Sequence, residues 1–144
     1  MNKHTVIGDV DADGEPEILL VRPGTNLMLN IFSASGVVEN VFPLVGSALY
    51  GVPIALADLD GDDVPEIIVS PSTAINVLRA DGSAYPGWPV LNPECCNPNT
   101  HPVIGDVNGD QLPEIVAVGG SGPYVWAYSR EGVLLTQFPK PCGG

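Results

Sequence analysis

The segment IGDVDADGEPEILLV, residues 7–21, recurs twice along the chain in closely similar form. The two later copies are LADLDGDDVPEIIVS, residues 56–70, and IGDVNGDQLPEIVAV, residues 104–118. Each copy holds an acidic loop of the pattern D-x-[DN]-x-D-x-x-P-E between two short apolar runs. The first aspartates of the loops, Asp9, Asp58 and Asp106, lie 49 and 48 residues apart. A repeat of this length indicates a repetitive architecture for the 144-residue chain.

The runs beside each loop are rich in β-branched residues and bounded by Gly and Pro, which predicts strands. Two further landmarks recur in step, a turn glycine and an aromatic–proline pair. They are Gly36, Gly82 and Gly132, and Phe42-Pro43, Trp88-Pro89 and Phe138-Pro139. Four strands in about 48 residues is the size of a β-propeller blade. We therefore expect an all-β chain of three four-stranded antiparallel blades, at about 1–48, 49–97 and 98–144. The aromatic is predicted to anchor one blade on the next, with sugar stacking as the alternative.

The charge of the chain is strongly negative, with 17 acidic and 5 basic residues and a net charge of −12. An acidic surface repels phosphate backbones, so we expect no nucleic-acid partner. The three loops hold 13 of the 17 acidic residues and contain no Lys or Arg. Crowding like charges costs free energy unless a positive charge lies among them, which predicts a bound cation. The sequence shows no apolar run long enough to span a membrane and no signal peptide. For a secreted protein, the signal would be absent from this chain.

The pattern of oxygen ligands indicates which cation the loops bind. Side-chain oxygens at positions 1, 3 and 5, a backbone carbonyl at position 7 and a carboxylate at position 9 suit Ca²⁺. The loops contain no Cys or His, which argues against zinc or copper, and Mg²⁺ would need a stricter octahedron. An EF-hand is excluded because position 12 is not Glu and the flanks are not helical. We predict about three Ca²⁺ per chain, with ligands Asp9, Asp11, Asp13, Glu15 and Glu17, then Asp58, Asp60, Asp62, Val64 and Glu66, then Asp106, Asn108, Asp110, Leu112 and Glu114.

The loops differ at position 6, where a sharp turn favours glycine. This position is Gly14 in the first loop, Asp63 in the second and Gln111 in the third. Asp tolerates a left-handed backbone better than Gln does. The third loop also replaces a carboxylate with Asn108. We therefore predict that the third site binds calcium most weakly.

The three segments quoted above resemble FG-GAP/VCBS repeats, the calcium-binding propeller repeats of integrin α-chains and of many secreted microbial proteins. The stretch ADGSAYPGWPV, residues 80–90, is also similar to the outer part of the bacterial members. The resemblance covers nearly the whole chain, as about three repeats. It implies Ca²⁺ coordination by loop positions 1, 3, 5, 7 and 9, and an extracellular or cell-surface location. The departures at Asp63, Gln111 and Asn108 bear on the second and third sites.

Three blades are fewer than a closed propeller needs, since closed rings typically have four to eight. We expect two chains to pair head to tail and give six blades. The alternatives are a fragment of a longer propeller and an open assembly. The chain has three cysteines, an odd number. We expect a disulfide from Cys142 to Cys95 or Cys96, with the third cysteine linking subunits; the alternative is three free thiols.

Two histidines, His4 and His101, each lie five residues before the first Asp of a loop. The repeat predicts that both begin inner strands near the central channel, either as a metal- or ligand-binding pair or as repeat-derived structure. We find no nucleophile elbow, phosphate loop or dinucleotide fingerprint, and the carboxylates already have a role as calcium ligands. We therefore expect no enzyme, but a calcium-stabilised extracellular binding or adhesion module for protein or glycan partners. The alternatives are a structural subunit of an extracellular assembly or filament, and a non-catalytic part of a larger secreted enzyme.

Overall fold

The computed structural model describes residues 4–22, 24, 26–48, 51–91, 101–119 and 124–142. These residues form twelve strands in three four-stranded sheets, and every strand pair is antiparallel. The first sheet contains β1 (Thr5–Gly8), β2 (Glu17–Arg22), β3 (Met28–Phe32) and β4 (Val38–Pro43). The second contains β5 (Ile54–Ala57), β6 (Glu66–Val69), β7 (Ala74–Leu78) and β8 (Val90–Leu91). The third contains β9 (Val103–Gly105), β10 (Glu114–Gly119), β11 (Tyr124–Tyr128) and β12 (Lys140–Pro141).

Each sheet follows the chain in order, so every strand pairs with its sequence neighbour. The all-β fold with four strands per repeat is thus confirmed. The described residues include no helix that is long and apolar enough to cross a membrane. Cys95 and Cys96 lie outside the described residues, so the proposed cysteine pairing stays a prediction, and Cys142 is exposed.

The acidic loops join the first and second strands of each sheet at one register. The strand residues that close them pair as Gly8 with Glu17, Ala57 with Glu66 and Gly105 with Glu114. The proline before each glutamate has no N–H and cannot donate a hydrogen bond to the neighbouring strand, and the second strand begins directly after it. All three loops therefore leave their sheets from the same end.

The fourth strand is placed differently relative to the aromatic–proline pair in the first repeat and in the other two. β4 contains Phe42 and Pro43, whereas β8 and β12 begin only after the aromatic–proline pair. In these two repeats the chain leaves the ladder after single bridges at Ala84 and Leu134. It then makes a turn that is closed by a backbone hydrogen bond. Trp88 N–H donates to the Tyr85 carbonyl in the second repeat, and Phe138 N–H donates to the Leu135 carbonyl in the third. In the second repeat this turn places Trp88 against the third sheet.

The core lies between the sheets and not inside any one of them. One cluster joins the first sheet to the second and includes Leu19, Leu29 and Ile31 with Ile67 and Val69. Another cluster joins the second sheet to the third and includes Leu59, Ile68 and Ile75 with Ile115 and Trp126. The second sheet is buried on both faces, as the uniform burial of β6 and β7 shows. Strands buried on both faces read as continuous apolar runs without alternation.

Consecutive sheets are joined by the aromatic of one repeat and the turn glycine of the next. A Cβ on Gly82 would overlap the ring of Phe42. Trp88 donates its indole N–H to the Arg130 carbonyl at 2.8 Å, and a Cβ on Gly132 would lie 2.7 Å from the Gly87 carbonyl oxygen. Phe42 and Trp88 thus each contact the next repeat, as an anchor would, and their contribution to stability stays a prediction.

Candidate metal centre

The first aspartate of each loop organises the backbone around it. Asp58 accepts the Gly61 N–H at 2.6 Å on Oδ1 and the Asp63 N–H at 3.0 Å on Oδ2. Asp106 accepts Gly109 and Gln111 in the same way, at 2.6 and 2.9 Å. These backbone donors favour the charged form, and the bond from Gly61 or Gly109 is the largest cause that lowers the pKa of Asp58 and of Asp106.

Two positions of each loop have a left-handed backbone. Position 6 has φ of 90° at Gly14, 68° at Asp63 and 70° at Gln111, as the sequence predicts. Position 4 is also left-handed, with φ of 61° at Ala12 in the first loop. This second position was not predicted from the sequence, although the glycines at position 4 of the other two loops, Gly61 and Gly109, were the signal for it.

The loops bring the predicted carboxylates together at positions 1, 3 and 5. Oxygen atoms of Asp9, Asp11 and Asp13 lie within 4.8 Å of one another, and those of Asp58, Asp60 and Asp62 do the same. The residue at position 7 donates its N–H to the carboxylate at position 5, at 2.8 Å from Glu15 to Asp13. Val64 and Leu112 make the equivalent bonds to Asp62 and Asp110, at 2.9 and 2.8 Å.

The glutamate at position 9 is buried beneath each loop. The exposed fraction is 4% for Glu17, 3% for Glu66 and 1% for Glu114. One carboxylate oxygen of each accepts the N–H of loop position 2, over 2.8 to 2.9 Å. These glutamates are not members of the groups of three carboxylates. The sequence predicted them as ligands but missed their bond to the start of the loop, which joins the loop to the core.

Burial sets the electrostatics of Glu17 and Glu66. It raises the pKa of Glu17 and of Glu66, against the lowering effect of the backbone bond, and the neighbouring aspartates raise the pKa further. Since the charged form is disfavoured in both, a cation beside the loop would remove an unfavourable charge interaction.

Within the part of the chain that the structure describes, one oxygen in the first loop has no hydrogen-bond partner. Oδ1 of Asp9 is buried and unpaired, whereas the same atom of Asp58 accepts the Gly61 N–H. Buried polar atoms are nearly always paired, and an exception calls for an explanation such as a bound ion. Asp9 Oδ1 thus has the chemistry expected of a ligand for a hard cation.

The second loop has a counter-charge that the sequence did not reveal. Arg79, at the end of β7, places Nη2 4.0 Å from Oδ2 of Asp60. Both side chains are partly exposed, and ion pairs of this kind contribute little. No Lys or Arg lies inside the loops, and at the second loop an arginine from outside the loop approaches.

The third loop differs through Asn108. Its amide donates to Asp110 at 3.0 Å and to Glu114 at 3.1 Å, and its side-chain oxygen accepts the Asp110 N–H at 2.8 Å. These bonds engage side-chain atoms that were predicted to coordinate the cation. The neutral amide of Asn108 also removes one negative charge from the loop. The predicted weak binding at the third site stays a prediction, and this geometry favours it.

The two histidines meet in the structure. The rings of His4 and His101 are 4.4 Å apart at an angle of 87°, so the start of the first repeat lies beside the start of the third. Burial, and then the charge on His101, lowers the pKa of His4. The pair was predicted from the repeat, and the structure brings it together.

Comparisons with known proteins add one distant structural likeness. No protein-family model matches the chain, and no curated protein is similar to it. The fold is similar to part of the crystal structure of the biofilm matrix protein Bap1 of V. cholerae, with 17% sequence identity and a TM-score of 0.45. The match covers 91% of this chain and 27% of that one.

Proposed function

We propose that this chain is a calcium-stabilised, extracellular binding or adhesion module without catalysis of its own. The supporting observation is the loop that occurs three times above a buried glutamate, with carboxylates clustered at positions 1, 3 and 5 in the first two copies. The unpaired Oδ1 of Asp9 adds to it. A hard cation satisfies this oxygen, compensates the clustered charge and holds two strands together at the loop.

The proposal includes a propeller arrangement of the three sheets. Each sheet is a four-stranded antiparallel meander, and neighbouring sheets pack face to face through a repeated joint. These features agree with propeller blades, as does the resemblance of the loops to FG-GAP/VCBS repeats. The face of such an arrangement would offer a broad surface to a protein or glycan partner.

Calcium dependence of folding is the first test. A site of the extracellular class binds with Kd of roughly 10⁻⁴ to 10⁻³ M. At about 10 mM calcium, each site would then add about 1.5 to 3 kcal/mol to the free energy of unfolding. We expect Tm to fall on chelation and to return with calcium, but not with an equal concentration of magnesium. A Tm that chelation leaves unchanged contradicts the proposal and assigns the loops a role as simple turns.

Calorimetric titration of single-loop variants identifies the sites. Asp11→Asn should weaken the first site, and Asp62→Asn the second, because each removes one carboxylate of a cluster. Exposed Glu39 provides the matched control, since Glu39→Gln removes one negative charge far from any loop motif. A third site that proved tightest would overturn the predicted ranking.

Ligand binding separates the two leading functions. A glycan array and a panel of extracellular matrix proteins, each probed with and without calcium, should show calcium-dependent binding if the chain is a binding module. A structural subunit would bind neither. This second function is favoured by one observation, the partly uncovered apolar faces of the first and third sheets, where residues such as Ile7 and Val103 are more than half exposed.

A further inference from the structure

The joint between consecutive sheets occurs twice among the described residues, and the first and third sheets each hold one further half of it. In the internal joints, Phe42 lies on Gly82, and the segment around Trp88 lies on Gly132. Trp88 is 6% exposed, and its ring meets Tyr128 of the third sheet edge to face at 6.1 Å. The aromatic half belongs to the earlier repeat and the glycine half to the later one.

The third sheet carries an aromatic half on which no glycine turn of the described residues lies. Phe138 occupies the place of Phe42 and Trp88 in the repeat and is half-buried. It lines an open groove of about 260 Å³ together with Val107 and Leu134. Val107 is 49% exposed, whereas Val10 and Leu59, at the same loop position, are 2% and 1% exposed beneath the following sheet.

The first sheet carries a glycine half without an aromatic on it. Gly36 has φ of 82° and closes its turn through the same bond to Ser33 that Gly82 makes to Arg79. Among the described residues, nothing lies within 4 Å of a Cβ built on Gly36. The turn at Gly36 therefore has the same backbone geometry as the turn at Gly82, and the described residues leave the surface over Gly36 open.

The apolar faces beside these halves follow the same pattern. Ile18 and Leu20 on β2 are half-buried. Their equivalents on β6, Ile67 and Val69, are fully buried against the first sheet. The free face of the first sheet is thus built like the face that the second sheet packs on its predecessor.

From this complementarity we propose that a second copy of this chain covers the free face of the third sheet, with Phe138 lying on Gly36 of that copy. The inference rests on the propeller arrangement proposed above, but not on calcium. The occupant must present a glycine turn beside an apolar sheet, and the surface around Gly36 does so. Such a contact is head to tail, and two of them would close a ring of six sheets.

Light scattering coupled to size-exclusion chromatography tests the proposal on the whole chain in calcium. We expect the wild type to have at least twice the chain mass of 15.0 kDa. Gly36→Asn and Phe138→Ala should each give 15.0 kDa. Asn tolerates a left-handed backbone, and its Cβ meets open space in the single chain, so the variant should fold. In the assembly, the Asn side chain would occupy the space in which Phe138 of the other copy packs on Gly36. Phe138→Trp is the matched control, because Trp88 already fills the equivalent position, and it should assemble.

Mixing the two disruptive variants gives the sharper result. A chain with Phe138→Ala still offers an intact Gly36, and a chain with Gly36→Asn still offers an intact Phe138, so an equimolar mixture should regain a heterodimer through one joint. A wild-type mass of 15.0 kDa at every concentration up to about 100 µM overturns the proposal. So does a Gly36→Asn variant that stays assembled. Calcium titration of the same samples keeps the two hypotheses apart, since assembly without calcium binding would refute only the metal sites.

Discussion

Trp88 offers the clearest test of whether the aromatic–proline pair holds the sheets together or binds a sugar. The side chain is 6% exposed, donates its N–H to the Arg130 carbonyl at 2.8 Å, and meets Tyr128 edge to face. Trp88→Ala removes all three contributions and leaves a cavity between the second and third sheets. Truncations of this kind cost about 3 to 5 kcal/mol.

The size of the effect on Tm follows from the length of the chain. With an unfolding entropy of about 2.1 cal/mol/K per residue, 144 residues give about 0.3 kcal/mol/K. A loss of about 4 kcal/mol therefore lowers Tm by about 13 °C. Trp88→Phe keeps an aromatic ring between the sheets, as at Phe42. It loses the indole hydrogen bond and a small part of the buried apolar area. It should cost about 1 to 1.5 kcal/mol.

Urea unfolding in calcium measures both variants, and Tyr124→Ala is the control for an aromatic that is 39% exposed. We expect the order of stability to be wild type, Trp88→Phe, then Trp88→Ala, with an unchanged m-value. If Trp88→Ala unfolds within about 0.5 kcal/mol of the wild type but abolishes glycan binding, the role as an anchor is refuted and sugar stacking is favoured.

Three further predictions concern the loops and the histidines. Burial raises the pKa of Glu66, so Glu66→Gln should raise Tm in chelator and lower it in calcium; the same sign in both conditions would contradict a metal role. Gln111→Gly should stabilise by about 1 kcal/mol in urea unfolding, because Gln111 has φ of 70°; destabilisation would contradict this. The pKa of His4 lies below its ordinary value, so stability falls as pH drops from above about 6.5 through the folded-state pKa. His101→Gln should make that loss smaller between about pH 7.5 and 5.5, and an unchanged loss would refute the coupling.

The strands and the local geometry of the loops could be read from the sequence because both depend on nearby residues. The β-branched runs beside each loop predict strands, and Pro16 and Glu17 mark where the second strand begins. Gly14 at position 6 predicts the left-handed turn that Asp63 and Gln111 also adopt. The left-handed Ala12 was missed, although Gly61 and Gly109 at its position held the signal.

Contacts between residues that are far apart along the chain could not be predicted from the sequence. Arg79 approaches Asp60 because the β6–β7 hairpin returns the chain toward the loop, and no spacing within the loop indicates this. The missing partner of Asp9 Oδ1 depends on an N–H that turns toward this atom in the second and third loops. Such details follow from the folded backbone and not from residue type.

The sequence alone predicted the two strands beside each loop and the positions of the proposed calcium ligands, since a loop and its two strands lie within some fifteen residues. Only the tertiary structure decided which aromatic meets which glycine, since Trp88 and Arg130 lie 42 residues apart and meet only when the sheets stack. It also showed that, among the described residues, the second sheet is covered on both faces and the first and third sheets on one face each. The sequence of a repeat predicts the strands within it, whereas the burial of a sheet face depends on which surface packs against that face.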